Sequence, residues 1–249
     1  MTHPQHVLDI LRFITKALKV INQNGNSDGL DPKVVIDHLD FYSGKPGAGE
    51  TFIHPFSLSQ MRQLISETQS CDNEYTSILP IDDQLDNCGQ ARDLWEVFHT
   101  YLDTLDESRW AFFYPNEDNL LFRLMKATPS KVEIFMDTFD PMVPHMNCFL
   151  VNELPFQEMI PSSKELKVIL WIIGCRLRDE KYQHHKIVPV TIISAAGYLL
   201  RIVQGYINQQ QLFVRMTPIF DFKSGEKAMQ TEFYQTLCWF VGDPVGNTT

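Results

Sequence analysis

The sequence has 249 residues, of which 44% are apolar and 21% charged, with a formal net charge of −10 at pH 7. This composition is typical of a globular protein with a sizeable core, and the negative charge argues against nucleic acid and anionic membranes as partners. The charge is uneven, because residues 1–160 have 11 Lys/Arg against 24 Asp/Glu (−13) and residues 161–249 have 10 against 7 (+3). Only the second stretch is therefore suited to an anionic partner.

The cysteines and the apolar runs predict a protein of the cytoplasm or nucleus, with no membrane association. The number of cysteines is odd, no two form a CxxC pair, and Cys175 and Cys238 lie in apolar stretches. This pattern predicts reduced, buried thiols rather than disulfides or a zinc site. The first 13 residues lack the basic start and long apolar stretch of a signal peptide. The most apolar run, "LKVILWIIGC", contains a lysine and is too short to span a bilayer.

Residues 1–90 are predicted to form a largely helical N-terminal region. Apolar residues at helical spacing over 7–21 predict one helix, and a capping box at Ser57 predicts the start of another. Between them, Asp31-Pro32 is typical of an N-cap and a first helical position, so "KVVIDHLDFY" is predicted to be helical.

Residues 91–249 are predicted to form an α+β core, with the acidic, turn-rich stretch 70–90 as the boundary before it. A helix over 91–105 and a strand at "NCFLVNEL" open this core. A capped helix over 164–178 then leads into three β-rich runs, of which "INQQQ" joins the second and third as a hairpin, and a helix over 227–241 follows. The predicted fold is α+β with a C-terminal helix–three strands–helix sheet, and one continuous domain is the alternative to two regions.

The stretch "GKPGAGET" nearly matches the phosphate-binding loop GxxxxGK[ST]. Gly44, Gly49 and Thr51 are in place, but Glu50 stands where the loop requires lysine. A carboxylate there repels the phosphate that backbone N–H groups would cradle. We therefore predict a plain Gly/Pro loop that binds neither ATP nor GTP.

The stretch "FDFKSG" offers a metal-binding alternative. Asp221 ends a predicted strand, Lys223 follows it, and Gln235 lies on the next helix. Residues 201–240 resemble the RecB-like branch of the PD-(D/E)XK nucleases, where a strand ending in "DYKTG" precedes a glutamine-bearing helix. The resemblance implies Mg²⁺ bound by Asp221, with Lys223 and Gln235 as further catalytic residues. It also implies a second carboxylate where this sequence has Asn208, and the plainer alternative is that Asp221 begins a turn.

Four stretches near the end of the sequence carry a wider resemblance: "HKIVPVTIIS", "LRIVQGYI", "LFVRMTPIFDF" and "WFVGDPVGNT". Together they are similar to the C-terminal end of a group of uncharacterised fungal proteins. The resemblance implies a shared fold and a fungal origin, and it is compatible with an accessory role in a fungal biosynthetic pathway.

Two clusters of ring side chains remain. The stretch "RWAFFYPNEDNLLF" contains Trp110, Phe113 and Tyr114, which could line an apolar ligand pocket, with core packing as the alternative. His184 and His185 are adjacent and would point to opposite faces of a strand, so at most one could bind a metal. We predict a solvated loop at these two histidines.

Two functions follow from these observations. In the first, the chain is an α+β protein that binds a small molecule or a protein partner, without catalytic machinery and without a cofactor. In the second, it is a PD-(D/E)XK-like metal-dependent nuclease, active or degenerate, that uses Mg²⁺.

Overall fold

The computed structural model describes residues 4–24, 34–71, 84–103, 110–113, 131–138, 140, 142–224 and 229–249, with the backbone alone at 68–71, 112, 113 and 131. This part of the chain contains five α-helices and ten strands, and the fold is α+β. The helices are α1 (Gln5–Asn24), α2 (Leu58–Cys71), α3 (Asn87–Leu102), α4 (Ser163–Arg178) and α5 (Gln230–Phe240). The strands are β1 (Val34–His38), β2 (Ile53–His54), β3 (Trp110–Phe113), β4 (Lys131–Thr138), β5 (Met146–Val151), β6 (Val190–Ala196), β7 (Leu199–Asn208), β8 (Gln211–Met216), β9 (Phe220–Asp221) and β10 (Asp243–Pro244).

Eight of the strands form one mixed sheet in the order β1-β8-β7-β6-β5-β4-β3, with β9 paired to the first residues of β7. The β1–β8 and β5–β6 pairs are parallel and the other pairs are antiparallel. The short strands β2 and β10 form a separate antiparallel pair. The predicted three-strand unit is confirmed, because β6, β7 and β8 are consecutive antiparallel neighbours.

Helices cover both faces of this sheet, so the strands carry apolar residues on both sides. Helices α1 and α4 share one core with side chains such as Ile192, Val203 and Val214. Helices α3 and α5 share the other core with side chains such as Ile193 and Ile202, and α2 contributes residues to it. These two surfaces of the sheet are called the α1/α4 face and the α3/α5 face below.

Helix α4 is the element that the sequence predicts most closely. Ser162 accepts a hydrogen bond from the Glu165 backbone N–H at 3.1 Å, and Glu165 accepts one from the Ser162 N–H at 2.6 Å, which completes the predicted capping box. The helix lies close to β7, because a Cβ on Gly205 would come within 2.6 Å of the Ile169 side chain. Glycine at this position therefore allows the helix and the sheet to pack together.

The N-terminal prediction was wrong at one element. Residues 34–38 form strand β1, which pairs in parallel with β8, instead of the predicted helix. The run Val34-Val35-Ile36 is β-branched, and branched side chains lose χ1 freedom in a helix but fit a pleated surface. Strands β3 and β4 were also missed, because only "NCFLVNEL" was predicted to be extended in that part of the chain.

Candidate functional site

A row of polar side chains crosses the α3/α5 face of the sheet. Four of its five members are buried, and their neighbours along each strand are apolar. Gln204 lies at the centre, where its Nε2 atom donates to Thr191 Oγ1 and its Oε1 atom accepts from the Arg215 guanidinium, both at 3.4 Å. In cross-strand register the row runs Asn147, Thr191, Gln204, Arg215 and Asp37.

Arg215 holds the glycine-rich loop against one end of this row. Its guanidinium donates to the carbonyl oxygens of Ala48 and Glu50 at 2.8 and 2.6 Å, and to the Tyr206 hydroxyl at 3.0 Å. Burial lowers the pKa of Arg215, while Tyr206, Asp37 and Glu50 favour its charged form. Arg215 is therefore satisfied within the protein and has a structural role.

The backbone of the "GKPGAGET" loop is arranged differently from a phosphate cradle. The N–H groups of Gly47 and Ala48 donate to the His38 carbonyl and the Asp37 carboxylate, both at 2.9 Å. The carbonyls of Ala48 and Glu50 point at Arg215 instead. A phosphate needs free N–H groups aimed at it, and two of those in this loop are already used within the protein.

Asn147 lies at the other end of the row and differs sharply from Arg215. Its side chain is fully buried, and neither the amide nitrogen nor the amide oxygen has a hydrogen-bond partner among the described residues. Each unsatisfied buried polar group costs about 1–3 kcal/mol. Asn147 therefore points to a bound molecule or to water at this position.

His145 precedes Asn147 by two residues, and its imidazole is also buried. The Nε2 atom lies 2.9 Å from the Val245 carbonyl oxygen, and because a carbonyl only accepts, Nε2 carries the proton. The Nδ1 atom is thus an acceptor, and no described group donates to it. Burial lowers the pKa of His145 to about 4, and repulsion by His185 and Arg176 adds to this, so the ring is neutral at pH 7.

Arg176 and His185 complete the group. Arg176 forms an ion pair with Asp137 and donates to the Tyr182 hydroxyl at 2.6 Å, while its Nε atom has no partner within the described structure. His185 shares a hydrogen bond of 2.8 Å with Thr248 Oγ1, and its Nε2 atom likewise lacks one there. His145, Asn147, Arg176 and His185 are called the buried polar cluster below.

The 243–249 segment lies against this cluster. Its carbonyl at Val245 bonds to His145, its Thr248 hydroxyl bonds to His185, and the Thr248 carbonyl accepts from the N–H groups of Lys186 and Ile187 at 2.7 and 3.1 Å. The segment thus bridges the loop that precedes β5 and the loop that precedes β6. The prediction of a solvated loop at the two histidines was wrong for His185, which is 2% exposed.

The structure does not bring the predicted nuclease residues together around an ion site. Asp221 is exposed and accepts a hydrogen bond from the Lys223 N–H at 2.8 Å, as in a turn. Gln235 is buried and donates to the Phe41 and Tyr42 carbonyls. Asn208 lies at the far end of β7 from Leu199, the partner of Asp221, about 30 Å away at about 3.3 Å per residue. Among the described residues, no group of three or more His, Cys, Asp or Glu side chains could hold a metal.

The aromatic stretch is described only in part. Trp110 is buried on β3, where its indole N–H donates to the Gly242 carbonyl at 2.8 Å. Phe113 belongs to the same strand, with its backbone alone described, and Tyr114 lies outside the described residues. Trp110 thus packs in the α3/α5 core, which is the alternative to a ligand pocket at that residue.

Sequence reasoning missed the buried polar cluster. Its members come from "HMN", "CRL" and "HHK", which belong to no shared motif. One signal was present in part, because Asn147 begins the run "NCFLVNEL" that was predicted to be a strand, and in the structure it lies inside β5 between Met146 and Cys148. A polar residue inside a buried strand requires a partner, and asking which group could supply it would have marked the position.

Comparison with protein-family models, with curated proteins and with solved structures gave no match for the chain. No helix in the described ranges is both long and apolar enough to cross a membrane. The arrangement of the site is therefore the basis for inferring function.

Proposed function

We propose that this protein binds a small polar molecule at the buried polar cluster. The observation that supports the proposal is the Asn147 amide, which is fully buried and has no hydrogen-bond partner among the described residues. Native proteins satisfy more than nine-tenths of such buried groups, so an amide with two vacant positions suggests a bound molecule.

The chemistry of the cluster suggests the class of ligand. The Asn147 amide offers a donor and an acceptor, and His145 Nδ1, two residues earlier, offers a further acceptor, while Arg176 Nε is a vacant donor beside the His145 backbone. The Arg176 charge is already balanced by Asp137. The cluster therefore suits an uncharged ligand with both donors and acceptors, such as an amide, a urea or a hydroxylated ring.

Burial makes Cys148, Cys175 and Cys238 poor nucleophiles, so these thiols lend no support to thiol-based catalysis. Cys88, Cys148, Cys175 and Cys238 are all buried and free. Burial raises the pKa of Cys175 to about 11 and that of Cys238 to about 12, so both thiols are protonated at neutral pH. Free thiols also support the inference that the protein acts in the cytoplasm or nucleus, and the fungal resemblance supports an accessory role in a biosynthetic pathway.

The substitution Asn147→Leu tests the proposal, because an empty site and an occupied site predict opposite changes in the free energy of unfolding. Leucine has a similar volume and removes both polar atoms, so in a protein with an empty site it should stabilise the fold by about 1–3 kcal/mol. In a ligand-bound protein it should destabilise the fold and abolish binding. We expect native mass spectrometry of the protein purified from its own cells to show a bound small molecule that Asn147→Leu lacks.

Asn152→Leu is the matched control. Asn152 is equally buried but fully bonded, since its nitrogen donates to Ser194 Oγ at 2.9 Å and its oxygen accepts from Ser162 Oγ at 3.2 Å. This change should destabilise the fold whether or not a ligand is present. Stabilisation by Asn147→Leu, together with a native mass equal to that of the bare chain, would contradict the proposal. Ordered water alone in a high-resolution structure of the purified protein would do the same.

A further inference from the structure

We propose that the 243–249 segment is a strap that closes the buried polar cluster and opens when His145 and His185 take up protons. The strap's role as a gate for a ligand rests on the function proposed above, whereas its opening can be measured without any ligand.

The strap is held by few bonds, and the histidines make two of them. Besides the bonds to His145 and His185, the Thr248 carbonyl accepts from the Lys186 and Ile187 N–H groups. Val245 N–H donates to the Phe52 carbonyl at 3.0 Å, and Asn247 N–H donates to the Glu50 carboxylate at 2.8 Å. Pairing of β10 with β2 anchors the strap at residues 243–244. Opening therefore breaks a few hydrogen bonds and leaves the eight-stranded sheet intact.

Protonation is unfavourable only while the strap is closed. The His145 Nε2–H already donates to Val245, so an added proton must go to Nδ1. Hydrogen bonding to the Val245 and Phe52 carbonyls favours the protonated ring, but burial outweighs it and keeps the pKa of His145 at about 4 while the strap is closed. The Arg176 guanidinium lies close enough to repel the new charge. His185 is buried beside His184, and burial with repulsion by that ring lowers the pKa of His185. An open strap would expose both rings to water and remove these costs.

The pH range between about 5.5 and 6.5 separates histidine titration from the titration of ordinary carboxyl groups. Asp137 forms an ion pair with Arg176, and Glu50 accepts a hydrogen bond from the Asn247 N–H. Above about pH 5.5 ordinary carboxyl groups are ionised, and histidines are the groups that titrate. The titratable and charged groups that act on the rings are His185 and Arg176 for His145, and His184 for His185, whose ring also lies 6.5 Å from that of Tyr182.

The size of the effect follows from proton linkage. Below about pH 6.5, each histidine that charges only in the open state increases the open population about tenfold per pH unit. Two histidines together give up to about 100-fold between pH 6.5 and 5.5. The population of the open state should not change between pH 7 and 8.

Amide hydrogen exchange, expressed as protection factors that correct for the intrinsic pH dependence, is the direct measurement. Three backbone amides report on the strap. The Val245 N–H belongs to the strap and donates to the Phe52 carbonyl, and the N–H groups of Lys186 and Ile187 donate to the Thr248 carbonyl of the strap. We expect their protection to fall 10- to 100-fold between pH 6.5 and 5.5, while amides of β6 keep theirs. His185→Gln should reduce the fall to at most tenfold, and His145→Gln, which retains a side-chain N–H for Val245, should act likewise.

His38→Gln is the matched control, because His38 is an exposed histidine on β1 and should leave the pH profile unchanged. If the protection factors of the three strap-reporting amides stay constant down to pH 5.5, the proposal of an opening strap is wrong. It is also wrong if the amides of β6 lose protection equally, because that result indicates general unfolding. Neither result bears on whether Asn147→Leu stabilises or destabilises the fold, so the ligand-binding proposal and the strap proposal can fail separately.

Discussion

The two ends of strand β5 both carry a buried asparagine, but they differ in how these residues are satisfied. Asn152 follows the strand and is bonded to Ser194, Ala195 and Ser162. Asn147 lies near its start and has no side-chain partner among the described residues. Because the two asparagines lie at opposite ends of the same strand, the difference shows that this fold can satisfy one buried amide and leaves the other without a partner among the described residues.

The Asn152 end is closed by a buried ion pair. Arg201 and Glu165 are 1% and 0% exposed and meet through two hydrogen bonds, of 3.0 and 2.6 Å. Arg201 also donates to the carbonyls of Gln157 and Ile160, which fixes the loop before α4. The polar groups named at this end are hydrogen-bonded within the protein, and we call the Arg201–Glu165 pair a clamp because it holds the loop before α4. The Asn147 end, in contrast, is suited to a bound partner.

The largest expected effect comes from breaking the clamp. Arg201→Met leaves the Glu165 carboxylate buried without its partner and should lower the free energy of unfolding by about 3–5 kcal/mol. Urea denaturation measures the loss. The double change Arg201→Met/Glu165→Leu should recover most of it, and Arg12→Met, which breaks an exposed pair with Asp9, should cost less than about 0.5 kcal/mol. A loss below 1 kcal/mol at Arg201 would show that this end is not a clamp.

The second-largest effect is expected at the Asn147 end, where a lower pH should reduce the free energy of unfolding through His145. The fold keeps His145 neutral with a pKa of about 4, against 6.5 in the unfolded chain, so the unfolded chain binds more protons between these values. Stability is therefore complete above about pH 6.5 and falls by about 3 kcal/mol as the pH is lowered to 4. Denaturation midpoints of the wild type and His145→Gln at several pH values measure this contribution. Identical pH profiles would show that His145 does not titrate across this window.

A smaller, stabilising change is expected at the β7–β8 hairpin. Its turn residues Gln209 and Gln210 have φ angles of +47° and +60°, a left-handed conformation that favours Asn and Gly. Asn and Gly at these two positions should raise the free energy of unfolding by about 1–2 kcal/mol. Because the turn does not contact the cluster, we expect the same gain at pH 7.5 and pH 5.5, measured by urea denaturation. A gain confined to one pH would couple the hairpin to the cluster.

The smallest effect is expected at Asp221, outside both ends of β5. Asp221→Ala removes the hydrogen bond from the Lys223 N–H and should cost about 0.5–1 kcal/mol. Mg²⁺ should leave the thermal midpoint of the wild type unchanged. Mg²⁺-dependent stabilisation that disappears in Asp221→Ala, or Mg²⁺-dependent DNA cleavage that Lys223→Ala abolishes, would instead favour the nuclease alternative.

The sequence predicted those elements whose own residues determine them. Helix α4 has its capping box within four residues, and β6 to β8 are apolar runs separated by short turns. Strand β1 was predicted wrongly because its partner, β8, lies far along the chain, and a local Asp-Pro signal favoured a helix. The β-branched run Val34-Val35-Ile36 and its pairing with β8 outweighed that Asp-Pro signal.

The candidate site could not be predicted in the same way. His145 and His185 are 40 positions apart and both bond to the 243–249 segment, and Arg176 donates to the His145 backbone carbonyl from helix α4. No spacing rule links these positions. What the sequence could indicate was two asparagines, Asn147 and Asn152, in a run predicted to be a strand, each of which needs a partner whose location the sequence does not give.

The parallel pairing of β1 with β8 also has a consequence for biosynthesis. Val34 pairs with Leu212, 178 positions later, so a growing chain holds β1 without its sheet partner for roughly 10–35 s at typical elongation rates. Contacts this distant in sequence slow folding, and an unpaired β-branched strand is prone to pair with another chain. We therefore expect nascent chains of this protein to depend on chaperones until residue 216 has left the ribosome.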